Sequence, residues 1–246
     1  MRFGAGGLEH LRQSGSFKAL FPRGTDPEEI VGLNTAGGMT GGDRFEVVLS
    51  VGDGAAVRYT TQAAERAYRA IGGQVATAVS RLEVAGDGCL HWLPQETILY
   101  EGSALDRRFE VDLSADATLI AVETLVFGRR AMGEVPQKLR FRDQWRVRVD
   151  GALVFADAVR LDDAITQMDR PVIAGGAGAA AQVLAVTPKA EGLARIPAPE
   201  GGAVNLIRPG VLFGRVLAED GFALRKVLVP YLEKLTGRPV PKVWRL

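Results

Sequence analysis

The stretch that decides the fold runs from Leu33 to Arg69 and reads LNTAGGMTGGDRFEVVLSVGDGAAVRYTTQAAERAYR. Its first half clusters four glycines around one acid, namely Gly37, Gly38, Gly41, Gly42 and Asp43. So much glycine indicates a backbone that takes positive φ angles or passes very close to a neighbouring layer. We therefore predict a tight structural loop in which Asp43 fixes the turn through backbone amides.

An alternating strand, Phe45 to Val51, follows the loop, and a Gly52-Asp53-Gly54 turn leads into a second strand that ends near Tyr59. This order is typical of a β-hairpin. Similar turns recur roughly every 30 residues, which indicates stacked units that bury a shared core. They are centred on Asp53, Asp87, Asp116 and Asp150. We predict a mainly β body of stacked hairpins, and periodicity leaves a solenoid-like winding and a two-sheet sandwich both open.

The rest of the chain adds few helices. Spacing between the strands leaves no room for the helix of a parallel βαβ crossover. Residues 61–70 contain good helix formers that could support a turn or two of helix, and residues 161–165 are a second short helix candidate. Apolar residues at spacings of three and four predict an amphipathic helix over residues 222–235, closed by Gly237. Proline and glycine mark a loop or linker at residues 189–202, within a single domain spanning residues 1–246.

Composition excludes several classes of function. The chain has 246 residues, 47% of them hydrophobic, and a formal net charge of +1, so it lacks the basic excess of a nucleic-acid-binding protein. Its one cysteine, Cys89, cannot form an internal disulfide, which fits a reducing compartment. No apolar run is long enough to span a membrane. We expect a cytoplasmic protein that binds neither nucleic acid nor membrane.

Catalytic and metal-binding chemistry has few candidate residues. The glycine-rich run lacks the Gly-Lys-Ser/Thr sequence of a phosphate loop, and Asp43 would repel phosphate. Only two histidines occur, and His91 is expected to pack in a strand with its ring nitrogen satisfied. Carboxylates remain, and Asp43, Glu96 and Glu134 are weak candidates for transient metal contact, because borderline divalent metals prefer imidazole and thiolate ligands. Glu96 and Glu134 could equally pair with arginines.

Four segments resemble the motifs of the urease accessory proteins of the UreD (UreH) family. The first is the glycine-rich run at residues 37–43, and the second joins Thr60, Thr61 and Gln62 to Tyr68 and Arg69. The third contains Trp92, Pro94, Gln95 and Glu96, and the fourth contains Gly128, Arg129, Gly133 and Glu134. The closing Pro241-Lys242-Val243-Trp244 is similar to the end of the family sequence, although members usually carry more chain ahead of the first motif.

The resemblance implies a function without catalysis. Members of the family are urease maturation factors that dock on the urease apoprotein, join the accessory proteins UreF and UreG, and help to deliver nickel. It also implies a mainly β fold with a small helical element, no tightly bound cofactor, and nickel in transit. It places residues 61–70 at the exit of a strand. On this interpretation the motif residues bind partners or shape the surface that partners contact.

Two other interpretations stay open at this point. One is a carboxylate-dependent hydrolase on a β scaffold, with Asp43 and Glu134 as the acid and base. The other is a β-rich binding module unrelated to urease.

Overall fold

The computed structural model describes residues 1–25, 27–162 and 164–245. Its helices are α1 (Ala190–Leu193) and α2 (Gly221–Thr236), with short 3-10 helices at Arg130–Met132, Ala164–Gln167 and Lys242–Arg245. Its strands are β1 (Arg2–Gly4), β2 (Gly7–His10), β3 (Phe17–Leu20), β4 (Glu28–Asn34), β5 (Arg44–Val51), β6 (Ala56–Thr61), β7 (Glu65–Ala67), β8 (Ala76–Val84), β9 (Cys89–Leu93), β10 (Thr97–Leu99), β11 (Ala104–Leu113), β12 (Thr118–Phe127), β13 (Arg140–Val149), β14 (Ala152–Asp162), β15 (Ala179–Val186), β16 (Gly202–Arg208) and β17 (Val211–Ala218).

The strands form two sheets. The first sheet has the order β14-β13-β11-β8-β5-β1-β2. The second has the order β16-β17-β15-β12-β9-β6-β4-β3, and the short strands β7 and β10 extend it beside β12. From β5 to β13 the chain alternates between the sheets, and successive strands within each sheet are parallel. The body is therefore a solenoid-like winding, and the predicted mainly β architecture is confirmed.

The predicted hairpins are wrong at three of the four aspartate turns. The turns at Asp53, Asp87 and Asp116 carry the chain from one sheet to the other, and only the turn at Asp150 joins an antiparallel pair, β13 and β14. The physical reason is that the turns bond to one another across coils. The Gly54 amide donates to Asp87 Oδ1 at 2.8 Å, and the Asp87 amide donates to Asp53 Oδ1 at 3.1 Å.

The core between the sheets is aromatic and contains a buried ionic network. Trp92 stacks on Tyr59 with ring centroids 4.0 Å apart. Arg107 of β11 forms a two-point ion pair with Asp143 of β13, at 3.1 and 2.6 Å, and also contacts Glu123 of β12. Buried charges of this kind need partners for every polar atom. The network is completed by the indole N–H of Trp92 and Trp145 and by the Gln182 amide.

Helix α2 covers the outer face of the second sheet, and its predicted extent is confirmed. Asp220 caps its first turn by accepting from the Ala223 amide at 2.7 Å, and Gly237 ends it with φ of 65°. Both features match the residue preferences at helix ends. The helix buries an apolar stripe against the second sheet, made of Leu224, Leu228, Tyr231, Leu232 and Leu235.

Smaller predictions have mixed outcomes. Residues 61–70 contain the end of β6, a bend and the strand β7, so the strand exit that the resemblance implies is confirmed and the helix is wrong. The segment 189–202 contains the short helix α1 and an irregular stretch, and β16 begins at its last residue, Gly202. A short helix expected from Leu161 becomes the end of β14, with a 3-10 turn from Ala164, and Asp163 lies outside the described residues. Within the described ranges, no helix is long and apolar enough to cross a membrane.

Candidate functional site

The four motif segments lie at or next to one corner of four successive coils of the winding. Met39, Ala67, Leu99 and Phe127 lie side by side in parallel register, one from each coil, and all four are buried. We call this stack the motif corner. It explains how segments far apart in sequence form one surface.

A backbone ladder holds the motif corner together. The Tyr68 amide donates to the Met39 carbonyl at 2.8 Å, and the Tyr100 amide donates to the Ala67 carbonyl at 3.1 Å. The Gly128 amide continues the ladder by donating to the Leu99 carbonyl at 2.8 Å. Each coil is thus fixed by the next, as in other solenoid structures.

The glycine-rich loop is the first layer of the motif corner, and two of its glycines leave no room for a side chain. A Cβ at Gly38 would lie 2.3 Å from a ring carbon of Tyr68 and 2.7 Å from the Arg66 carbonyl oxygen. A Cβ at Gly41 would lie 2.8 Å from the carbonyl oxygen of Gln74. The predicted close approach to a neighbouring layer is confirmed at these two positions.

The other two glycines of the loop adopt the left-handed conformation. Gly37 has φ of 78° and Gly42 has φ of 91°, a region that glycine enters without strain. Asp43 then fixes the turn, because its Oδ2 accepts from the Thr40 amide at 2.8 Å. The Thr40 hydroxyl donates to the Arg69 carbonyl at 2.9 Å and so ties the first motif to the second.

The second and third motifs are joined by hydrogen bonds between neighbouring coils. The Gln95 amide donates to the Thr61 hydroxyl at 2.9 Å, and the Gln95 side chain donates to the Thr61 and Gln62 carbonyls at 3.0 and 2.9 Å. Gln95 and Pro94 are buried, whereas Gln62 is exposed. The two segments therefore hold one another in place, which gives Thr61 and Gln95 a structural role.

The outer layer of the motif corner joins aromatic and charged side chains. Tyr68 meets Tyr100 edge to face at 5.2 Å, and the Arg129 guanidinium lies 4.7 Å from the Tyr100 ring centre. Arg129 Nε donates to Glu134 at 2.9 Å, and Glu134 also accepts from the Glu101 amide at 3.1 Å. Gly128 and Gly133 both have positive φ and shape the loop that carries this pair.

The candidate carboxylates do not converge. Asp43 bonds the Thr40 amide, Glu96 pairs with Arg225 at 2.6 Å, and Glu134 pairs with Arg129. In the described part of the chain, no group of three or more His, Cys, Asp or Glu side chains is placed to hold a metal ion. The expected pairing of Glu96 and Glu134 with arginines is confirmed.

Sequence reasoning missed the buried network of Arg107, Glu123 and Asp143. Burial raises the pKa of Glu123, although the Arg107 charge opposes the shift. Burial alone would lower the pKa of Arg107, but Asp143 and Glu123 raise it above its ordinary value. The sequence held one indication of the network. Arg107 lies two residues from Leu105 and two from Phe109, so it shares the inward face of β11 with these apolar side chains. The motif residue Trp92 belongs to this network through its bond to Glu123.

The C-terminal tail is anchored to the second and third motifs. Arg225 of α2 donates to Gln95 at 2.9 Å and to the Trp244 carbonyl at 3.0 Å, besides its ion pair with Glu96. The Trp244 indole N–H donates to the Thr60 hydroxyl at 3.2 Å and to the Leu93 carbonyl at 3.0 Å. The tail therefore closes this side of the β body.

Replacement of Arg225 by alanine is expected to lower the free energy of unfolding by about 1–3 kcal/mol, because it removes charge-assisted hydrogen bonds that anchor the tail. Limited proteolysis should then cleave the chain after Thr236 faster than in the wild type. Lys226→Ala is the control, since no ion pair of that neighbouring lysine is found among the described residues. Equal cleavage rates in both variants would contradict the anchoring role.

His91 is buried beside Cys89, with 3.5 Å between Nε2 and Sγ. The expectation of a satisfied ring is only half met, because Nδ1 has no partner among the residues described. Burial lowers the pKa of His91 to about 4, and the charges of Arg58 and Arg238 act in the same direction. Burial also raises the pKa of the Cys89 thiol, so neither group is activated at neutral pH.

The shifted pKa of His91 predicts a loss of stability in acid. His91 titrates at 6.5 in the unfolded chain and at about 4 in the folded one, so the folded state binds fewer protons between these values. Stability therefore falls as the pH decreases through this window, by up to about 1.4 kcal/mol per pH unit. Between pH 7 and pH 5, the free energy of unfolding measured in urea should fall by about 2 kcal/mol more in the wild type than in His91→Gln. Equal losses would contradict a buried neutral imidazole.

Together these features define a solenoid-like β scaffold whose motif residues fix one another in place. Comparison with known proteins agrees with this class. The family model described as "UreD urease accessory protein" matches residues 2–245. The chain therefore belongs to the UreD family of urease accessory proteins, and it is an accessory protein rather than an enzyme. The hydrolase interpretation, with Asp43 and Glu134 as acid and base, is wrong.

Individual relatives extend over nearly the whole chain. The chain is 47% identical to the urease accessory protein UreD of Roseobacter denitrificans over 248 residues, covering 99% of this chain and 90% of the relative. It is 45% identical to the protein of the same name from a Ruegeria species, covering 99% and 86% of the two chains. For the Brucella suis protein the identity is 42%, with 97% and 88% covered.

Proposed function

We propose that this protein is a non-catalytic scaffold for urease maturation. It binds the urease apoprotein together with UreF and UreG in the cytoplasm and assists the insertion of nickel into the urease active site. Family membership supports the link to urease. The observation that carries the scaffold role is the motif corner, where four motif segments from four coils form one fixed surface.

The bonding within the motif corner favours a surface over a reaction centre. Asp43 accepts a hydrogen bond from a backbone amide of the same chain, and Glu96 and Glu134 form ion pairs with its arginines. A catalytic pair would need carboxylates that face one another across a substrate. Nickel is the cargo in this proposal, and these three carboxylates would offer it only weak, transient contacts.

Co-expression tests the proposal. The urease subunits, UreF and UreG are produced with and without this protein, and the complexes are separated by size exclusion and analysed for nickel. We expect co-elution of this protein with at least the urease apoprotein or UreF, and more nickel in urease when it is present. Urease nickel content that is independent of this protein, with no co-elution, would contradict the proposal.

A further inference from the structure

An open cavity of about 400 Å³ lies beside the motif corner, where β11 and β13 begin and β14 ends. We call it the side cavity. Its lining comes from four parts of the chain, namely residues 70–75, residues 102–104, residues 138–142 and Asp162. The volume falls within the range of small-molecule sites in proteins. The carboxylates Asp43, Glu96 and Glu134 do not line it, so its chemistry is separate from that of the motif residues.

Backbone hydrogen bonds fix the walls of the side cavity. The Ala70 amide donates to the Gly102 carbonyl at 2.9 Å, and the Gly102 amide donates to the Lys138 carbonyl at 2.7 Å. The Arg140 amide donates to the Ser103 carbonyl at 2.8 Å. The three loops that surround the cavity are therefore held at fixed distances from one another.

Strand pairing places the charged side chains of the cavity on one face of the first sheet. Arg140 of β13 lies opposite Ala104 of β11 on one side and opposite Asp162 of β14 on the other. Arg142 lies two residues further along β13, and side chains two residues apart share a face of a sheet. Its guanidinium lies 3.7 Å from Asp162. All four residues line the cavity.

Several polar atoms of the lining have no hydrogen-bond partner among the described residues. Ser103 is 1% exposed, and its hydroxyl is one of these atoms. The others are Nε of Arg140, Nε of Arg142 and Oδ1 of Asp162. Buried polar atoms in native proteins normally have a partner. The hydroxyl and the two Nε–H groups can donate, whereas the Asp162 carboxylate accepts, because the bond from Arg160 lowers its pKa and keeps it ionised.

Positive charge exceeds negative charge at the side cavity. Three cations line it, Lys138, Arg140 and Arg142, against one carboxylate, Asp162. Lys138 is exposed, and no ion pair joins it to a residue that the structure describes. Four charged neighbours of the lining add two charges of each sign, at Arg69, Arg160, Glu101 and Asp106. The excess of two positive charges therefore remains when these neighbours are counted.

We propose that the side cavity binds a small oxyanion that carries one O–H group at neutral pH, as hydrogen phosphate and bicarbonate do. The oxygens of such an ion can accept from Ser103, Arg140 and Arg142, and arginine is well suited to oxyanions. Its O–H group can donate to Asp162. Sulfate has no proton at neutral pH, so the carboxylate selects against it. The inference goes beyond the scaffold role and does not depend on it.

Calorimetric titration of the full-length chain with inorganic phosphate, bicarbonate and sulfate tests the site. We expect phosphate or bicarbonate to bind, and sulfate to bind at least about tenfold more weakly. The protonated ion that binds more tightly is then assigned as the ligand. Arg142→Ala should weaken its binding at least about tenfold, because charge-assisted hydrogen bonds are lost. Arg146→Ala is the control, since Arg146 lies on the exposed face of the same strand and outside the cavity.

Ser103→Ala separates binding from structure. The substitution removes a hydroxyl without a partner in the described chain, so the free energy of unfolding in the absence of the ion should not decrease. The added stability that the ion gives should nevertheless be smaller than in the wild type, because the affinity is lower. A purely structural role for Ser103 would produce the opposite pattern.

Asp162→Asn tests the selectivity. The amide can donate to sulfate, so the ratio of the affinities for the protonated ion and for sulfate should fall toward one, with circular dichroism showing a folded variant. Three results would overturn the proposal. These are no binding of phosphate or bicarbonate, equal binding of sulfate by the wild type, and wild-type affinity in Arg142→Ala or Ser103→Ala.

Discussion

Asp143→Ala is expected to lower the free energy of unfolding by about 3–5 kcal/mol, the largest effect of any single substitution considered. Asp143 is fully buried and accepts both arms of the Arg107 guanidinium. Removing it leaves the arginine charge with Glu123 as its remaining partner. The indole of Trp145 and the side-chain amide of Gln182 also lose their acceptor.

Urea unfolding of the purified protein measures this effect. A loss of that size is a large part of the about 5–15 kcal/mol that stabilises a typical domain, so the variant should accumulate poorly. Arg146→Ala is the control, because Arg146 lies on the exposed face of the same strand and should change stability by less than about 0.5 kcal/mol. A loss below about 1 kcal/mol in Asp143→Ala would contradict the role of the buried network.

Gly38→Val is expected to open the motif corner and abolish partner binding. A Cβ at this position overlaps both the Tyr68 ring and the Arg66 backbone, and the backbone cannot move without breaking the ladder of the next coil. Overpacking of this kind costs about 1–3 kcal/mol or more. Gly192→Val is the matched control, since a Cβ there meets nothing within 4 Å.

Two measurements report on Gly38→Val. Hydrogen exchange should become faster at the Met39 and Tyr68 amides, and urease activation in cells should fall to the level without the protein. The control should keep slow exchange and full activation. Normal activation by Gly38→Val, with the variant folded, would show that the motif corner is dispensable.

Local patterns in the sequence were enough to predict β5, β6 and the last helix. Alternation identifies strands such as β8, β11 and β13, and spacings of three and four identify α2. The pairing of the strands was not predictable from the same turns, because a Gly-Asp-Gly turn suits a hairpin and a corner of a winding equally well. What decides between them is the bonding of Asp53 and Asp87 across coils, which involves residues far apart in sequence.

The convergence of the motifs could have been predicted in part. The turn aspartates and the motif corner follow a similar spacing, so Met39, Ala67 and Leu99 fall at equivalent points of successive coils. The glycines at positions 38 and 41 indicate close packing of the backbone. The residues that they pack against come from later in the chain, so the sequence pattern did not identify them. The helix that local propensity allows at residues 61–70 does not form, because the backbone ladder to β10 outweighs that propensity.

The nickel content of urease in a strain that lacks this protein tests the central claim most directly. Urease is purified from the deletion strain, from the strain complemented with the wild-type chain, and from one complemented with Gly38→Val. A scaffold required for maturation predicts nickel-poor urease in the first and third strains and nickel-loaded urease in the second. Fully loaded urease from the deletion strain would contradict the claim.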